Sequence, residues 1–187
     1  GLPDLPQSLI ELDCTSNQIN SLPALPSTLD ALYCGINPLF QLPTLPPALR
    51  RLGCVATSLT ALPTLPPMIW TIDCSGNQLS VFPAIPASLQ YLSCSQNNLS
   101  VLPTLPTGME SLDCRSNPSL VLPSLPPALN VFWCDAININ TLPPLPNTII
   151  SLSCGDLNLT ALPTLPDSLQ YFNCANNQLT TLPTLPN

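Results

Sequence analysis

Nine cysteines are the side chains best suited to chemistry in this 187-residue sequence. Thiols can bind metal ions, form disulfides or act as redox-active nucleophiles. Metal sites in small domains usually use close pairs such as C-x-x-C, and this sequence has no such pair. The cysteines stand instead at a constant spacing of 20 residues, which indicates a structural repeat. They are Cys14, Cys34, Cys54, Cys74, Cys94, Cys114, Cys134, Cys154 and Cys174.

The same spacing also argues against disulfides. In a parallel ladder, equivalent residues of successive repeats lie about 4.8 Å apart. Cβ atoms at that separation lie beyond the usual disulfide range of about 3.5–4.5 Å. Free cysteine is among the most buried residue types and packs as a small hydrophobic side chain. We therefore predict that the nine cysteines form a reduced, buried core ladder.

Other catalytic or metal-binding groups are scarce. The sequence contains no histidine, no lysine and no glycine-rich phosphate loop. Asp73 and Asp113 are two repeats apart, or roughly 10 Å by the strand spacing, which is too far for one calcium ion. Asp113, Asp135 and Asp156 form a closer diagonal, but Arg115 lies among them. We predict a protein that is not an enzyme and that has neither a cofactor nor a metal site.

Composition restricts the partners. The formal charge is -7, with ten acidic residues against three arginines. Nucleic acids and anionic membrane surfaces both attract Lys- and Arg-rich proteins, so neither partner is expected. A spanning helix needs about 18 apolar residues, and a proline interrupts every repeat, so we expect no membrane insertion. Hydrophobic residues make up 45% of the chain, enough for a buried core despite 26 prolines.

The repeat unit reads L-P-x-L-P-x-x-L-x-x-L-x-C-x-x-N-x-L-x-x. Residues 89–99 match the leucine-rich-repeat pattern L-x-x-L-x-L-x-x-N-x-L, with Cys94 in place of one leucine. The sequence resembles the bacterial leucine-rich repeats with L-P-x-L-P cores. Those repeats occur in type III secreted effectors and in surface or secreted proteins of Bacteroidota. The form Leu-x-Cys-Ser-x-Asn-Gln-Leu, nearly intact at 72–79, is more similar to the Bacteroidota surface type.

This pattern predicts a leucine-rich-repeat solenoid of nine stacked 20-residue repeats. Short parallel strands are expected on the concave face and extended, polyproline-like chain on the convex side. Because proline cannot sit inside a helix, we expect essentially no α-helix. Residues 1–187 are expected to form one domain of a longer chain. Neither Gly1 nor Asn187 belongs to a polar cap, so end-to-end contact with a flanking domain or another subunit is also expected.

Alternation along each strand sorts the side chains, with Leu92 and Cys94 inward and Tyr91 and Ser93 outward. The resemblance implies that one asparagine per repeat turns the chain after the strand and satisfies backbone groups of adjoining repeats. Thr57, Ile137 and Leu157 interrupt this column, and we expect a looser structure there. The asparagines are Asn17, Asn37, Asn77, Asn97, Asn117 and Asn177.

Aromatic and charged residues of the concave face are the candidate ligand-binding residues. Solenoids generally bind on their curved strand surface, and aromatic residues among short polar ones suit protein or glycan ligands. Cross-strand salt bridges are expected for Asp30 with Arg50 and for Arg115 with Asp135. The candidates are Tyr33, Arg51, Asp73, Tyr91, Asp113, Arg115, Trp133 and Tyr171.

Several functions fit this surface. A non-catalytic, extracellular or cell-surface recognition or adhesion module is the leading hypothesis, because the surface is lysine-free and rich in Ser, Thr, Asn and Gln. Alternatives are a structural spacer, the substrate-recruiting domain of a secreted effector, and ice binding through an interrupted threonine column. Candidate glycosylation sites are the sequons at Asn98 and Asn158, and Ser168, whose neighbours resemble a short Bacteroidota O-glycosylation motif.

Overall fold

A computed structural model describes residues 2–184 and confirms the predicted leucine-rich-repeat solenoid. Within these residues the chain forms nine short parallel strands and no α-helix. The strands hydrogen-bond in chain order, and each is paired with the next in a register of 20 residues, as in Leu32 with Leu52. They are β1 (Glu11–Asp13), β2 (Ala31–Tyr33), β3 (Arg51–Gly53), β4 (Thr71–Asp73), β5 (Tyr91–Ser93), β6 (Ser111–Asp113), β7 (Val131–Trp133), β8 (Ser151–Ser153) and β9 (Tyr171–Asn173).

Backbone pairing continues beyond the three-residue strands. The Cys34 N–H donates to the carbonyl of Gly53 at 2.8 Å, and the Ile36 N–H donates to the carbonyl of Val55 at 2.7 Å. On the return path, the carbonyl of the second proline in each unit accepts a hydrogen bond from the backbone N–H three residues later. An example is the Leu89 N–H, which donates to the Pro86 carbonyl at 3.1 Å. This is a β-turn, and it directs the chain into the next strand.

One continuous core runs through the stack. Each internal repeat places its leucines and its cysteine inside, and Leu32, Leu52 and Leu92 are almost fully buried. Ile72 and Phe132 replace leucine in the same column and are buried as well. Because side chains alternate along a strand, the residues before and after these buried ones point to the outer surface of the sheet, where all but Ala31 and Asp113 are exposed or half-buried. We call this outer surface of the sheet the strand face.

The asparagine column binds each repeat to the one before it. The Asn97 amide donates to the carbonyls of Cys74, Cys94 and Ser95 at 3.0–3.1 Å. Its side-chain oxygen accepts the Leu79 N–H at 2.9 Å. One buried side chain therefore satisfies four backbone groups in two repeats, and these groups have no access to water.

The three interruptions of the column differ. Thr57 is buried and its hydroxyl lies between the carbonyl of Cys54 at 3.2 Å and the side-chain oxygen of Asn77 at 2.7 Å. Threonine thus keeps part of the asparagine network. Ile137 and Leu157 are also buried, but their apolar side chains replace hydrogen bonds with packing alone. The inter-repeat hydrogen bonds of this column are therefore sparsest between Asn117 and Asn177.

A second column repeats a backbone conformation. The residue two places after each cysteine has a positive φ in all nine repeats, and only Gly76 among them is glycine. Left-handed backbone costs a side-chain-bearing residue about 1–2 kcal/mol, and asparagine tolerates it better than most residues. The strain is greatest at the β-branched Ile36, which has a φ of 54°.

The substitution Ile36→Asn is expected to stabilise the protein by about 1 kcal/mol, because it relieves left-handed strain at an exposed side chain. In the same column, Gly76→Ala is expected to have the opposite effect and to destabilise the protein by about 1 kcal/mol, because it adds a side chain at a residue with positive φ. A Cβ at Gly76 would meet no atom closer than 3.5 Å, so φ alone sets that effect. Urea unfolding measures both, and equal stability of the two variants would contradict the strain argument.

The substitution Asn97→Ala is expected to cost about 3 kcal/mol, because it leaves several buried backbone groups without partners. Asn98→Ala is the matched control, since Asn98 is exposed and lies one residue away. Its effect should stay within about 0.5 kcal/mol. Chemical unfolding compares the two, and a similar loss in both variants would show that the asparagine column does not hold the repeats together.

Candidate functional site

The cysteine ladder lies inside the core. Cys14 to Cys154 are buried, Cys174 is partly buried, and all nine are free thiols. The Cys74 thiol donates a weak hydrogen bond to the Ser93 carbonyl at 3.4 Å, and the Cys74 N–H donates to that same carbonyl at 2.9 Å. Burial raises the pKa of Cys34 to about 12 and also raises that of Cys94. Such thiols are protonated at neutral pH and are poor nucleophiles.

Most of the charged residues and all the tyrosines and tryptophans lie on the strand face or directly beside it, and they fall into three groups. The first group lies over the first six repeats and centres on Asp30. Asp30 Oδ2 is 2.9 Å from Arg51 Nη2, and Asp30 Oδ1 is 3.6 Å from Arg50 Nε, which confirms the predicted Asp30–Arg50 pair. Arg51 also reaches Glu11 at 3.4 Å and the Tyr33 hydroxyl at 3.5 Å. The hydrogen bond to Asp30 raises the pKa of Arg51 above its usual value.

Two aromatic rings extend this first group. Trp70 and Tyr91 meet edge to face with centroids 5.9 Å apart. The Tyr91 hydroxyl donates to Glu110 Oε2 at 2.7 Å, and this hydrogen bond raises the pKa of Tyr91. The ring of Tyr33 lies against Gly53, where an added Cβ would come within 2.9 Å of Tyr33 Cδ1. Glycine at that position therefore makes room for the ring.

An open groove lies beside these rings. It consists of two adjoining depressions of about 470 and 460 Å³ that share Asp30, Arg50 and Met68. Arg51, Trp70 and Gln90 complete the first depression, and Ser8, Ile10, Thr28 and Ala48 complete the second. We call these ten residues the Arg50 groove. It combines exposed apolar side chains with a guanidinium group at the edge of the strand face.

The second group surrounds Arg115. Its Nε and Nη2 atoms donate to the two oxygens of Asp113 at 2.9 and 2.8 Å, and its guanidinium lies 4.7 Å from the ring centroid of Trp133. Trp133 in turn donates to Ser151 Oγ at 3.1 Å. The predicted Arg115–Asp135 salt bridge is therefore wrong. Arg115 pairs with Asp113 of its own repeat, because in that position it gains a bidentate carboxylate and also the ring face of Trp133 in the next repeat.

The third group centres on Asp135. Its Oδ1 accepts hydrogen bonds from Ser153 Oγ at 2.7 Å, the Gly155 N–H at 2.8 Å and Asn173 Nδ2 at 3.3 Å. These bonds join three successive repeats across the strand face. Asp135 thus fixes the orientation of neighbouring polar side chains, while its Oδ2 is buried without a hydrogen-bond partner in the described structure.

The eight predicted ligand-binding residues are therefore distributed along the face rather than gathered at one site. Asp113 is only 8% exposed and is held by Arg115, whereas Tyr171 on β9 is 68% exposed. The Asp73 carboxylate accepts hydrogen bonds from the backbone N–H and from the hydroxyl of Ser75. Tyr91 and Arg51 border the Arg50 groove. Among residues 2–184, no three His, Cys, Asp or Glu side chains are grouped so that they could hold a metal ion.

The candidate glycosylation sites lie in different surroundings. Asn98 and Asn158 are exposed. The hydroxyl of Ser168 is engaged, because it donates to the carbonyls of Asn147 at 2.8 Å and Ile149 at 2.6 Å. Thr28 makes the same pair of bonds to its preceding repeat, so this contact belongs to the stacking of repeats.

The described part of the chain has no helix long and apolar enough to cross a membrane.

Sequence reasoning paired Asp30 with Arg50 but did not identify the column that directly precedes the strands as part of a candidate binding surface. Asp30, Arg50 and Trp70 belong to it, and in the structure they define the groove. Strand alternation predicts orientation only from the first paired residue onward, so it does not place this column on either face. One signal was present in the sequence, since Trp70 stands in a column that is polar in Gln90, Glu110 and the repeats around them.

Solved structures of bacterial proteins superpose on the whole stack. The chain is 37% identical to YopM from Yersinia enterocolitica WA-314, with a TM-score of 0.96 over 100% of this chain and 42% of that one. It is 31% identical to YopM of Yersinia pestis, described as a leucine-rich effector protein, with a TM-score of 0.84 over 99% and 60%. The chain is a bacterial-type leucine-rich-repeat protein. It spans about half the length of these two Yersinia proteins.

A more distant leucine-rich-repeat structure shares the fold. The functional domain of InlJ from Listeria monocytogenes, described as including a cysteine ladder, is 24% identical, with a TM-score of 0.82 over 95% of this chain and 42% of that one. No protein-family model matches the leucine-rich-repeat chain, and a search of curated proteins by similarity gives no match either.

Burial predicts the order in which the thiols of this leucine-rich-repeat chain react. At about pH 8, a thiol with a pKa near 12 is ionised in only about one molecule in ten thousand, so iodoacetamide should spare Cys34 and Cys154. The partly buried Cys174 should be alkylated first. Mass spectrometry of the native and urea-unfolded protein measures this, with Cys174→Ser as the control. Rapid native labelling at several repeats would contradict a closed core.

Proposed function

We propose that this chain is a non-catalytic protein-recognition module and that its contact surface is the Arg50 groove together with Tyr91. The observation that carries the proposal is the clustering of scarce residue types. The whole chain has two tryptophans, two methionines and three arginines. The groove holds one of the tryptophans, one of the methionines and two of the arginines. Trp, Tyr, Arg and Met are the residue types enriched in protein interfaces.

The groove also has the exposure and rigidity that an interface needs. Met68 is 53% exposed and Trp70 is 40% exposed, so both keep apolar surface that a partner can bury. Trp70 is braced by Tyr91, and Tyr91 is held by Glu110. Side chains fixed in this way lose little conformational entropy on binding.

Binding outside the producing cell is the second part of the proposal. The surface lacks lysine and carries many short polar residues, which supports an exported protein, either at the cell surface or released. The strand face is shallow and open, and the buried thiols are unreactive, which supports recognition rather than catalysis.

Recruitment of a target by a secreted effector is a second candidate function. It is favoured by the 31% identity to the Yersinia pestis effector over nearly the whole chain. Both candidates use the groove to bind a protein, and they differ in whether the rest of the molecule anchors it to a surface or acts on the bound target.

Protein and glycan microarrays test the proposal directly. The chain is expected to bind protein spots, and Trp70→Ala should weaken that binding by at least about tenfold, because it removes the central aromatic side chain. Tyr171→Ala is the matched control, since Tyr171 is a highly exposed aromatic residue on the last strand.

The outcomes separate the alternatives. Protein binding that Trp70→Ala abolishes and Tyr171→Ala preserves supports the groove as the interface. Protein binding lost only in Tyr171→Ala would move the interface to the last strand. Binding to glycans alone, or to neither array, would overturn the proposal and favour a glycan-binding module or a structural spacer.

A further inference from the structure

The Arg50 groove has two chemically different lobes. One lobe is apolar, with Ile10, Ala48 and Met68 on its wall, and Ile10 is 63% exposed. The other lobe places Trp70 beside the guanidinium groups of Arg50 and Arg51. Arg50 and Asp30 both belong to the two lobes, so a bound segment that enters the apolar lobe passes beside the Arg50 guanidinium and its Asp30 partner.

Arg50 is the arginine with unused binding capacity. Arg51 has Asp30 at 2.9 Å and Glu11 at 3.4 Å, and Arg115 is bidentate with Asp113. Within residues 2–184, the Arg50 guanidinium forms one ion pair, with Asp30 at 3.6 Å, and donates no hydrogen bond. Its side chain is 56% exposed. The planar guanidinium presents a fork of N–H donors that matches a carboxylate.

The surrounding charge restricts what can bind there. Seven of the ten acidic residues lie in the strands or within two residues of them, so the strand face as a whole is acidic. A polyacidic partner would be repelled by that face. One carboxylate placed next to an apolar side chain would instead pair with Arg50 and avoid most of the repulsion. Apolar neighbours such as Trp70 strengthen such a pair by excluding water.

We propose that the Arg50 groove binds an extended segment of a partner protein in which a single Asp or Glu adjoins a large apolar residue. The carboxylate binds the free N–H groups of Arg50, and the apolar side chain fills the lobe formed by Ile10, Ala48 and Met68. This inference rests on the proposed function, because it names the partner chemistry for the same groove. Trp70 packs along the segment between the two contacts.

A random peptide library displayed on phage tests the inference, because it samples many short segments and does not require an identified partner. The library is selected on the wild-type chain, and enriched peptides are then measured against Arg50→Gln, Arg50→Lys and Trp70→Ala. Arg115→Gln is the matched control, because it removes an arginine outside the groove. Thermal unfolding of every variant shows that it is folded.

The expected motif is Asp or Glu adjacent to Leu, Ile, Met or Phe. Arg50→Gln should weaken its binding by at least about tenfold, and Arg50→Lys should weaken it less, because lysine keeps the charge and loses the fork. Binding of the wild type should fall with salt, and that dependence should be reduced in Arg50→Gln. Arg115→Gln should bind like the wild type.

Failures of the two proposals are distinguishable. Enriched peptides that lack a carboxylate, or that bind Arg50→Gln normally, overturn the inference about partner chemistry if Trp70→Ala still abolishes binding. Peptides that bind Trp70→Ala normally overturn the groove as the interface and therefore overturn both. An absence of any enrichment over the Arg50→Gln chain also counts against the inference.

Discussion

The constant 20-residue register is the constraint on which the rest of this structure depends. Each strand has only three residues, and it is held because its backbone pairs with equivalent residues on both sides. The polar contacts of the interior follow the same register. Asn97 satisfies groups in its own repeat and in the repeat before it, and it can do so only if both lie one unit apart. A single inserted residue would displace the side chains of the strand to the opposite face.

This constraint divides the columns into two kinds. The columns of leucine, cysteine, asparagine and the two prolines make the contacts between repeats, so their residue types vary little. The columns on the strand face make few of these contacts and are free to vary. Most of the charged residues and every tyrosine and tryptophan lie in the strands or within two residues of them. Even so, most of those side chains are paired within the chain, as Arg115 is with Asp113. Arg50, whose one ion pair in the described part of the chain is long, stands out for that reason.

The fold was predictable because the period alone determines register, strand order and the buried columns. The site was predictable only in part. Column counting places Asp113 and Asp135 both within reach of Arg115, and it cannot decide which carboxylate a long, flexible side chain selects. The structure shows that the stacked Trp133 favours Asp113. Likewise, the groove depends on Met68 and Arg50, which lie before their strands, where the alternation rule no longer says which way a side chain points.

The cysteine ladder shows why reactive side chains need not form a reactive site. The Cys74 thiol shares the Ser93 carbonyl with its own backbone N–H, and the equivalent bond recurs from Cys114 to Trp133. Leucine at this place could not donate that bond, whereas serine would bring a strongly polar hydroxyl into a dry core. Cysteine supplies a weak donor on a small apolar side chain. The same burial that makes cysteine suitable for the core raises the pKa of its thiol, so the ladder stabilises the stack without exposing reactive thiolates.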